Sequence, residues 1–261
     1  MKHAICIGIN DYSWLRPSAS LRGCVADALD WMRLFRDTLV FHGGIHLLLN
    51  HAATAQAFRS AISGIAAQAQ PGDTVAITYS GHGTRIPDED GDEDDGYDEA
   101  IVLHGGIYSD DQIAGDLKML PPGVRVLLVA DSCHSGTVQR FLGLGTATDS
   151  LPKCVDILGV TPDAARARAL HHRFGISRDG APAAGCILLA GCMDAETSMD
   201  AFVGNAYHGA LTFHAVRILE ENPCRTWRDF HAELCRRIAD TSPQHPQLAA
   251  TPEQLDGRVF D

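Results

Sequence analysis

An α/β fold, with a mostly parallel sheet of six or slightly more strands between helices, is what this sequence of 261 residues predicts. Three observations predict it. Short continuous apolar runs that end in turn residues recur along the chain, as buried strands do. Segments of helical period lie between them, an alternation that implies a parallel sheet covered on both faces. Two of the apolar runs, TVAITY and VRVLLVA, stop directly before a histidine-bearing and a cysteine-bearing loop, YSGHG and DSCHSG.

The first strand is AICIGIN, followed by a loop containing Ser, Arg and Gly. Helical spacing runs from Val25 to Leu39, with Ala28, Trp31, Met32 and Phe35 on one face. IHLLLN reads as the second strand, and Thr54 to Ala69 as a second helix that Thr54 can cap. Gly72 and Asp73 turn the chain into the third strand, Thr74 to Tyr79. After an acidic loop, AIVLHGGIYSDD reads as a hairpin turning at Gly105-Gly106, and Val124 to Ala130 is the fourth strand.

Periodicity is lost from about Thr137 to Gly185, apart from one helix expected at Pro162 to His172. A structureless loop of this length in a compact domain is usually functional. CILLAGC resumes the fold as the fifth strand. Helices over Gly209 to Glu221 and Thr226 to Ile238 follow, and the tail SPQHPQLAA supplies a late edge strand. The expected organisation is one domain over 1–261, with a larger part at 1–140, a linker at 141–185 and a smaller part at 186–261.

Composition narrows the function. A formal net charge of −12 argues against a protein that tracks phosphates, so no nucleic-acid partner is expected. No apolar segment approaches the roughly 18 residues that span a bilayer, and the N-terminal apolar run is too short for a signal peptide. The eight cysteines form no CxxC pair, which fits reduced thiols in a cytoplasmic protein with no membrane partner. No two ligands share a zinc-like spacing, which disfavours a zinc hydrolase.

In an open parallel sheet, ligands bind beyond the carboxyl ends of the strands, where His82 and Cys133 both fall. A thiol and an imidazole on neighbouring strand ends are the parts of a nucleophile and its base. The amides of Gly83 and Cys133 can serve as an oxyanion hole if both loops turn over one crevice. His134 adjoins the cysteine but points the other way if the pleat persists, so it is not the expected base. Asp131 lies two residues before Cys133 and so points to the same side in an extended segment, where it can pair with a guanidinium.

YSGHG followed by DSCHSG resembles the metacaspases, caspase-like cysteine peptidases. LRGCVADA, DEDDGYDEAIVLHGGIYSDD, LLAGCMDAETSMD, HGALTF and SPQHPQL resemble further family segments in the same order. The resemblance implies a caspase-like fold, a Cys133–His82 dyad and cleavage of proteins or peptides after Arg or Lys. It implies that Asp27 and Asp131 line the first specificity pocket, to which Ser80 is added as a third lining group. It also implies a monomer, self-processing in the linker and a calcium site built from Asp98, Asp110 and Asp111. At the expected fourth position of that site stands Arg140, whose charge opposes calcium. Nine of the twelve residues from Asp88 to Glu99 are acidic, which suits either a bound cation or a solvated loop. Two other classes remain: a catalytically silent scaffold, and a calcium-binding regulatory module.

Overall fold

The computed structural model describes residues 1–87, 97–133, 151–155, 185–192, 198–223 and 225–261. Among them, six strands form the central sheet, in the order β12-β9-β7-β3-β1-β2. These are β1 (Lys2–Gly8), β2 (Ile45–Leu49), β3 (Thr74–Ser80), β7 (Arg125–Asp131), β9 (Cys186–Ala190) and β12 (Gln247–Ala249). The first five pair in parallel, and β12 closes one edge antiparallel to β9. The fold expected from the sequence is the one observed.

Because side chains alternate across a strand, each strand feeds two cores. Ile5, Ile7, Val75, Ile77, Tyr79 and Leu128 face one of them, while Ala4, Cys6, Ala76, Leu127 and Val129 face the other. Helices α1 (Cys24–Arg33), α4 (Ala210–Glu221) and α5 (Trp227–Ala239) supply the second core. The first is covered by α2 (Ala55–Ala66) and by α3 (Asp110–Leu117). In α2 the buried residues are Phe58, Ala61, Ile62 and Ile65, the spacing of a single helical stripe.

The helix starts follow from their caps. Thr54, Ser109 and Thr226 each accept a backbone N–H from the first turn of the helix they precede. Among the boundaries that differ from expectation, α2 ends at Ala66 rather than Ala69, and three others differ more. The first helix is α-helical only to Arg33 and continues as a wider turn over Leu34–Thr38. The hairpin consists of β5 (Tyr97–Leu103) and β6 (Gly106–Ser109), and it turns at His104-Gly105 rather than at the glycine pair. Gly105 takes the positive φ of +86° that this turn requires. Asp110 and Asp111 then open α3 instead of ending the hairpin, because Ser109 and Gln112 form a capping box.

Two smaller sheets flank the central one. Strand β4 (Gly83–Pro87), not foreseen in the sequence, pairs with β5. Strand β10 (Met199–Val203) pairs with β11 (Ala206–Gly209) on one side and on the other with β8 (Leu151–Pro152), a fragment of the expected linker. The helix expected at 162–172, His134, Arg140 and most of the acidic loop lie outside the described residues. Among the described residues no helix is long and apolar enough to cross a membrane.

Candidate active site

Parallel pairing of β3 with β7 ends at Ser80 opposite Asp131. His82 and Cys133 each come two residues further on, so the register alone brings both to the same rim of the sheet. His82 is held from three directions. Its N–H donates to the Tyr12 hydroxyl at 2.9 Å, and its carbonyl accepts from the Tyr79 hydroxyl at 2.6 Å and from the Val102 N–H at 2.9 Å. The ring Nε2 lies 2.6 Å from the Ala19 carbonyl. A carbonyl only accepts, so Nε2 carries the proton and Nδ1 keeps the lone pair. Nδ1 is buried without a hydrogen-bond partner. Burial pushes the imidazole pKa down to about 4, against a smaller upward pull from the Ala19 and Lys153 carbonyls. The ring is therefore neutral and in its basic form near pH 7.

Cys133 is fully buried. Its Sγ lies 3.3 Å from Cys192 Sγ and accepts the Ser198 N–H. Burial, and then the neighbouring Cys192 thiol, hold its pKa well above the ordinary thiol value. The sulfur is thus a protonated thiol turned toward the β9–β10 side of the cleft, and hydrogen-bonds there rather than to His82.

The region between the two loops is filled by residues of the expected linker. Lys153 has no exposed surface. Its carbonyl oxygen accepts from the Gly83 N–H at 3.0 Å and from the Cys133 N–H at 3.2 Å, the two amides singled out in the sequence. Its own N–H donates to the Ser198 carbonyl at 3.0 Å, and Leu151 and Pro152 pair antiparallel with Asp200 and Met199. On the other side, the Val155 N–H donates to the Gly83 carbonyl at 3.1 Å.

The Lys153 ammonium enters a hole lined by Asp27, Ser80 and Asp131. Its Nζ is 3.2 Å from Asp27 Oδ2, 3.1 Å from Asp131 Oδ1 and 2.8 Å from Ser80 Oγ. Burial works against the ammonium, but Asp131, Cys24, Asp27 and Asp200 together raise its pKa well above the ordinary lysine value. Burial likewise pushes Asp27 up, yet Lys153, His208, Ser80 and Gly209 outweigh it and hold the carboxyl below its usual range. Both carboxylates are braced. Asp27 accepts the Gly209 N–H at 2.9 Å and the Ser80 hydroxyl at 2.6 Å. Asp131 accepts the Thr212 N–H at 3.0 Å and the Ser198 hydroxyl at 2.8 Å.

Sequence reasoning missed several of these residues. A Cβ on Gly209 would overlap both Asp131 Oδ2 and Lys153 Nζ, so only glycine leaves room for the ammonium there. Asp200 is fully buried and accepts the Arg22 and Gly23 amides at 2.6 and 2.9 Å, which ties β10 to the start of α1. His208 lies 3.2 Å from Asp27 Oδ1, and that hydrogen bond raises its pKa. One signal was available in the sequence. Asp27 sits between Cys24, Ala28 and Trp31 on the buried stripe of α1, where a carboxylate must have a partner.

The candidate calcium residues are not gathered in the same way. Asp98 lies in β5, while Asp110 and Asp111 lie in the first turn of α3. Among the described residues no three His, Cys, Asp or Glu side chains are arranged to hold a metal ion.

A parallel sheet with an antiparallel edge strand, carrying a buried Cys and a buried His at adjacent strand ends, defines the caspase-like class of α/β proteins. Residues 2–141 match the model of the metacaspase, peptidase C14 domain, and the chain belongs to that family. It is 28% identical to Metacaspase-1 of Yarrowia lipolytica over 96% of its own length and 61% of that protein's. Against Metacaspase-1B of Aspergillus terreus it is 26% identical, covering 96% of this chain and 75% of the relative. The chain therefore spans about three fifths of the Yarrowia relative. A crystal structure of a Geobacter sulfurreducens protein superposes with a TM-score of 0.72 at 28% identity, covering 99% of this chain and 98% of that one.

Proposed function

We propose that this chain is a cysteine endopeptidase that cuts after Arg or Lys, with Cys133 as nucleophile and His82 as its base, and that its own Lys153–Cys154 bond is a substrate. One observation carries the reading. Lys153 lies in the cleft as a substrate residue would, its ammonium between Asp27 and Asp131 and its carbonyl on the Gly83 and Cys133 amides.

The chemistry follows from these positions. Cys133 Sγ must rotate from Cys192 toward the Lys153 carbonyl carbon. His82 Nδ1, which holds no proton, takes up the thiol proton as the sulfur adds to the carbonyl. The negative oxygen that develops already has two N–H donors aimed at it. The imidazolium then protonates the departing amine, and water hydrolyses the thioester with the same ring as base. Selectivity follows from charge. A cationic side chain neutralises two buried carboxylates, whereas an aspartate would add a third negative charge beside them.

The trigger we propose is calcium or another signal; Asp98, Asp110 and Asp111 are the candidate calcium ligands, and binding would have to draw them together, since they are not gathered to hold an ion here. Support comes from composition: seven of the nine residues 88–96, directly before β5, are acidic. The rival reading, a silent scaffold, draws on the turned-away thiol. The deciding experiment is hydrolysis of peptides that differ only before the cut, Arg against Lys against Asp, with and without calcium. Turnover of Arg and Lys peptides alone is the expected result. Turnover of Asp peptides would overturn the pocket assignment, and no turnover of any peptide would favour the scaffold.

A further inference from the structure

We propose that Cys154 gives this site a second activity, peptide-bond resealing: the amino-terminal cysteine created by the cut takes back the acyl group left on Cys133. The inference rests on the reading above, in which Cys133 attacks the Lys153 carbonyl.

Three observations carry it. Cys154 directly follows Lys153, so cleavage there exposes a residue with an amine and a thiol on adjacent carbons. Its side chain is 4% exposed and packs in one buried cluster with Cys133 and Cys192. The leaving segment keeps an anchor beyond the cut bond: of the two hydrogen bonds that bridge it to Gly83, the one from the Val155 N–H to the Gly83 carbonyl at 3.1 Å survives the cut, and Val155 is part of the main core cluster. The new terminus thus stays where it was formed, beside the acyl group, while Lys153 and Cys133 have no surface open to water. A nucleophile held in place competes with water as though at very high concentration.

The steps balance without an oxidant or co-reactant. In the forward cut, a bond forms between Cys133 Sγ and the Lys153 carbonyl carbon. The bond from that carbon to the Cys154 nitrogen breaks, and the amine departs with the proton that His82 took from the thiol. In the return, His82 takes the Cys154 thiol proton as that sulfur attacks the thioester carbon, the bond to Cys133 Sγ breaks, and His82 gives the proton to the departing Cys133 sulfur, so that the acyl group moves to Cys154 sulfur. The neutral Cys154 amine attacks the same carbon through a five-membered ring. The carbon–sulfur bond breaks, the proton released from nitrogen passes to the Cys154 sulfur, and the original amide and thiol are restored. Exchange between a thioester and a thiol breaks and forms the same kind of carbon–sulfur bond, so the return is not opposed. Net processing then requires water to intercept the acyl group, and any acceptor with an amino-terminal cysteine can be joined to the Lys153 carboxyl instead.

The test compares the wild-type chain, Cys154→Ser and Cys133→Ala, with and without calcium. Each is incubated with a biotinylated Cys-Gly-Gly peptide or its Ser-Gly-Gly counterpart, biotin being on the carboxyl end. Intact-mass spectrometry reads net cleavage after Lys153 and attachment of the probe to its carboxyl group, and a fluorogenic arginyl peptide is assayed in parallel. Loss of the recapturing thiol, which competes with water at high effective concentration, is expected to make Cys154→Ser accumulate cut chain about tenfold faster than wild type. Wild type is expected to take up the Cys probe and not the Ser probe, and Cys133→Ala to do neither. Equal cutting of Cys154→Ser and wild type, with equal uptake of both probes while the arginyl peptide is hydrolysed, overturns resealing and leaves the peptidase reading intact. Absence of both self-cleavage and arginyl hydrolysis in every chain removes the peptidase reading and resealing with it. The probe comparison uses wild type alone, so it decides the matter even if Cys154→Ser folds poorly.

Discussion

Lys153→Met, made in a Cys133→Ala chain so that no bond is cut, isolates the charge on the lodged side chain. The substitution keeps most of the buried apolar stem and removes the ammonium that lies 3.1 and 3.2 Å from two carboxylate oxygens. Taking one partner from a buried ion pair costs about 3–5 kcal/mol, because the remaining charge is left uncompensated. For a chain of this size each kcal/mol moves Tm by about 2–4 °C, so the variant is expected to melt roughly 10 °C lower near pH 7.5. The pH dependence carries its own sign. In the parent, the lysine and its fellow partners hold Asp27 below its usual pKa, so this contribution is present above the unfolded carboxylate pKa and is lost only in strong acid. Without the lysine, burial dominates and raises the folded carboxyl above its unfolded value. A folded state that binds the extra proton gains stability as pH falls. The gap in Tm between parent and variant therefore narrows from pH 7.5 to about pH 5. Adding Asp131→Asn to Lys153→Met removes one uncompensated charge and is expected to recover about 1–2 kcal/mol, the signature of direct coupling. Differential scanning calorimetry across this pH range reads all three effects. Equal melting of parent and variant at pH 7.5, or a gap that widens in acid, would refute the placement of the ammonium between the two carboxylates.

Other expectations follow from the same cleft. Gly209→Ala puts a methyl group where Asp131 Oδ2 and Lys153 Nζ now lie, and should lower kcat/KM for arginyl peptides by about a hundredfold with the fold retained by circular dichroism; unchanged kinetics would count against the pocket. With the His82 pKa pushed down to about 4, its basic form persists through mild acid. The rate of first-turnover self-cleavage should therefore stay level between about pH 5.5 and 7, and a steep loss around an ordinary histidine pKa near 6.5 would contradict the burial argument. Asp98→Asn and Asp111→Asn should each raise the calcium concentration for half-maximal arginyl hydrolysis by about tenfold; identical calcium titrations of these variants and wild type would exclude both residues as ligands.

The sheet was legible because buried parallel strands have to be apolar along their whole length: β3 and β7 are buried from end to end or nearly so, and their runs stand out. That His82 and Cys133 share a rim was legible for the same reason, since the carboxyl ends of all strands in a parallel sheet lie on one rim; that their strands are neighbours comes from the pairing of β3 with β7. Strand β4 was not visible because Gly83 to Pro87 has neither alternation nor an apolar run. It is a strand through its pairing with β5. The boundary at Arg33 was hidden too. Leu34 and Phe35 continue the apolar face into the wider turn, so periodicity alone does not mark where the hydrogen-bonding pattern changes. Nothing within the linker at 141–185 singles out Lys153, because its burial depends on Asp27 and Asp131, which come 126 and 22 positions earlier in the sequence. Gly209 and Asp200 were missed likewise: each acts on groups that the sequence places far away, Gly209 beside the Asp131 and Lys153 side chains and Asp200 on the Arg22 and Gly23 amides.

A site built to receive a cation poses a folding problem before any substrate arrives. Asp27 and Asp131 have no exposed surface, and two ionised carboxylates facing one hole in a dry interior strongly disfavour the folded state. Protonating one would relieve the charge at neutral pH only by raising its pKa far from its usual range, and Asp27 is instead held below that range. The ammonium of Lys153 supplies the missing charge from within the chain, and Ser80, Ser198, Thr212 and the Gly209 amide satisfy the remaining oxygen lone pairs. The segment that stabilises the empty pocket is, by the same contacts, the one that keeps other peptides out. A competing arginyl or lysyl peptide must replace that charge as it displaces the segment, so it gains only the difference between two similar ion pairs. Peptides without a cation gain nothing to offset the exposed carboxylates. On the proposed reading, selectivity for a basic residue before the cut would therefore be enforced at entry to the cleft as well as at the chemical step.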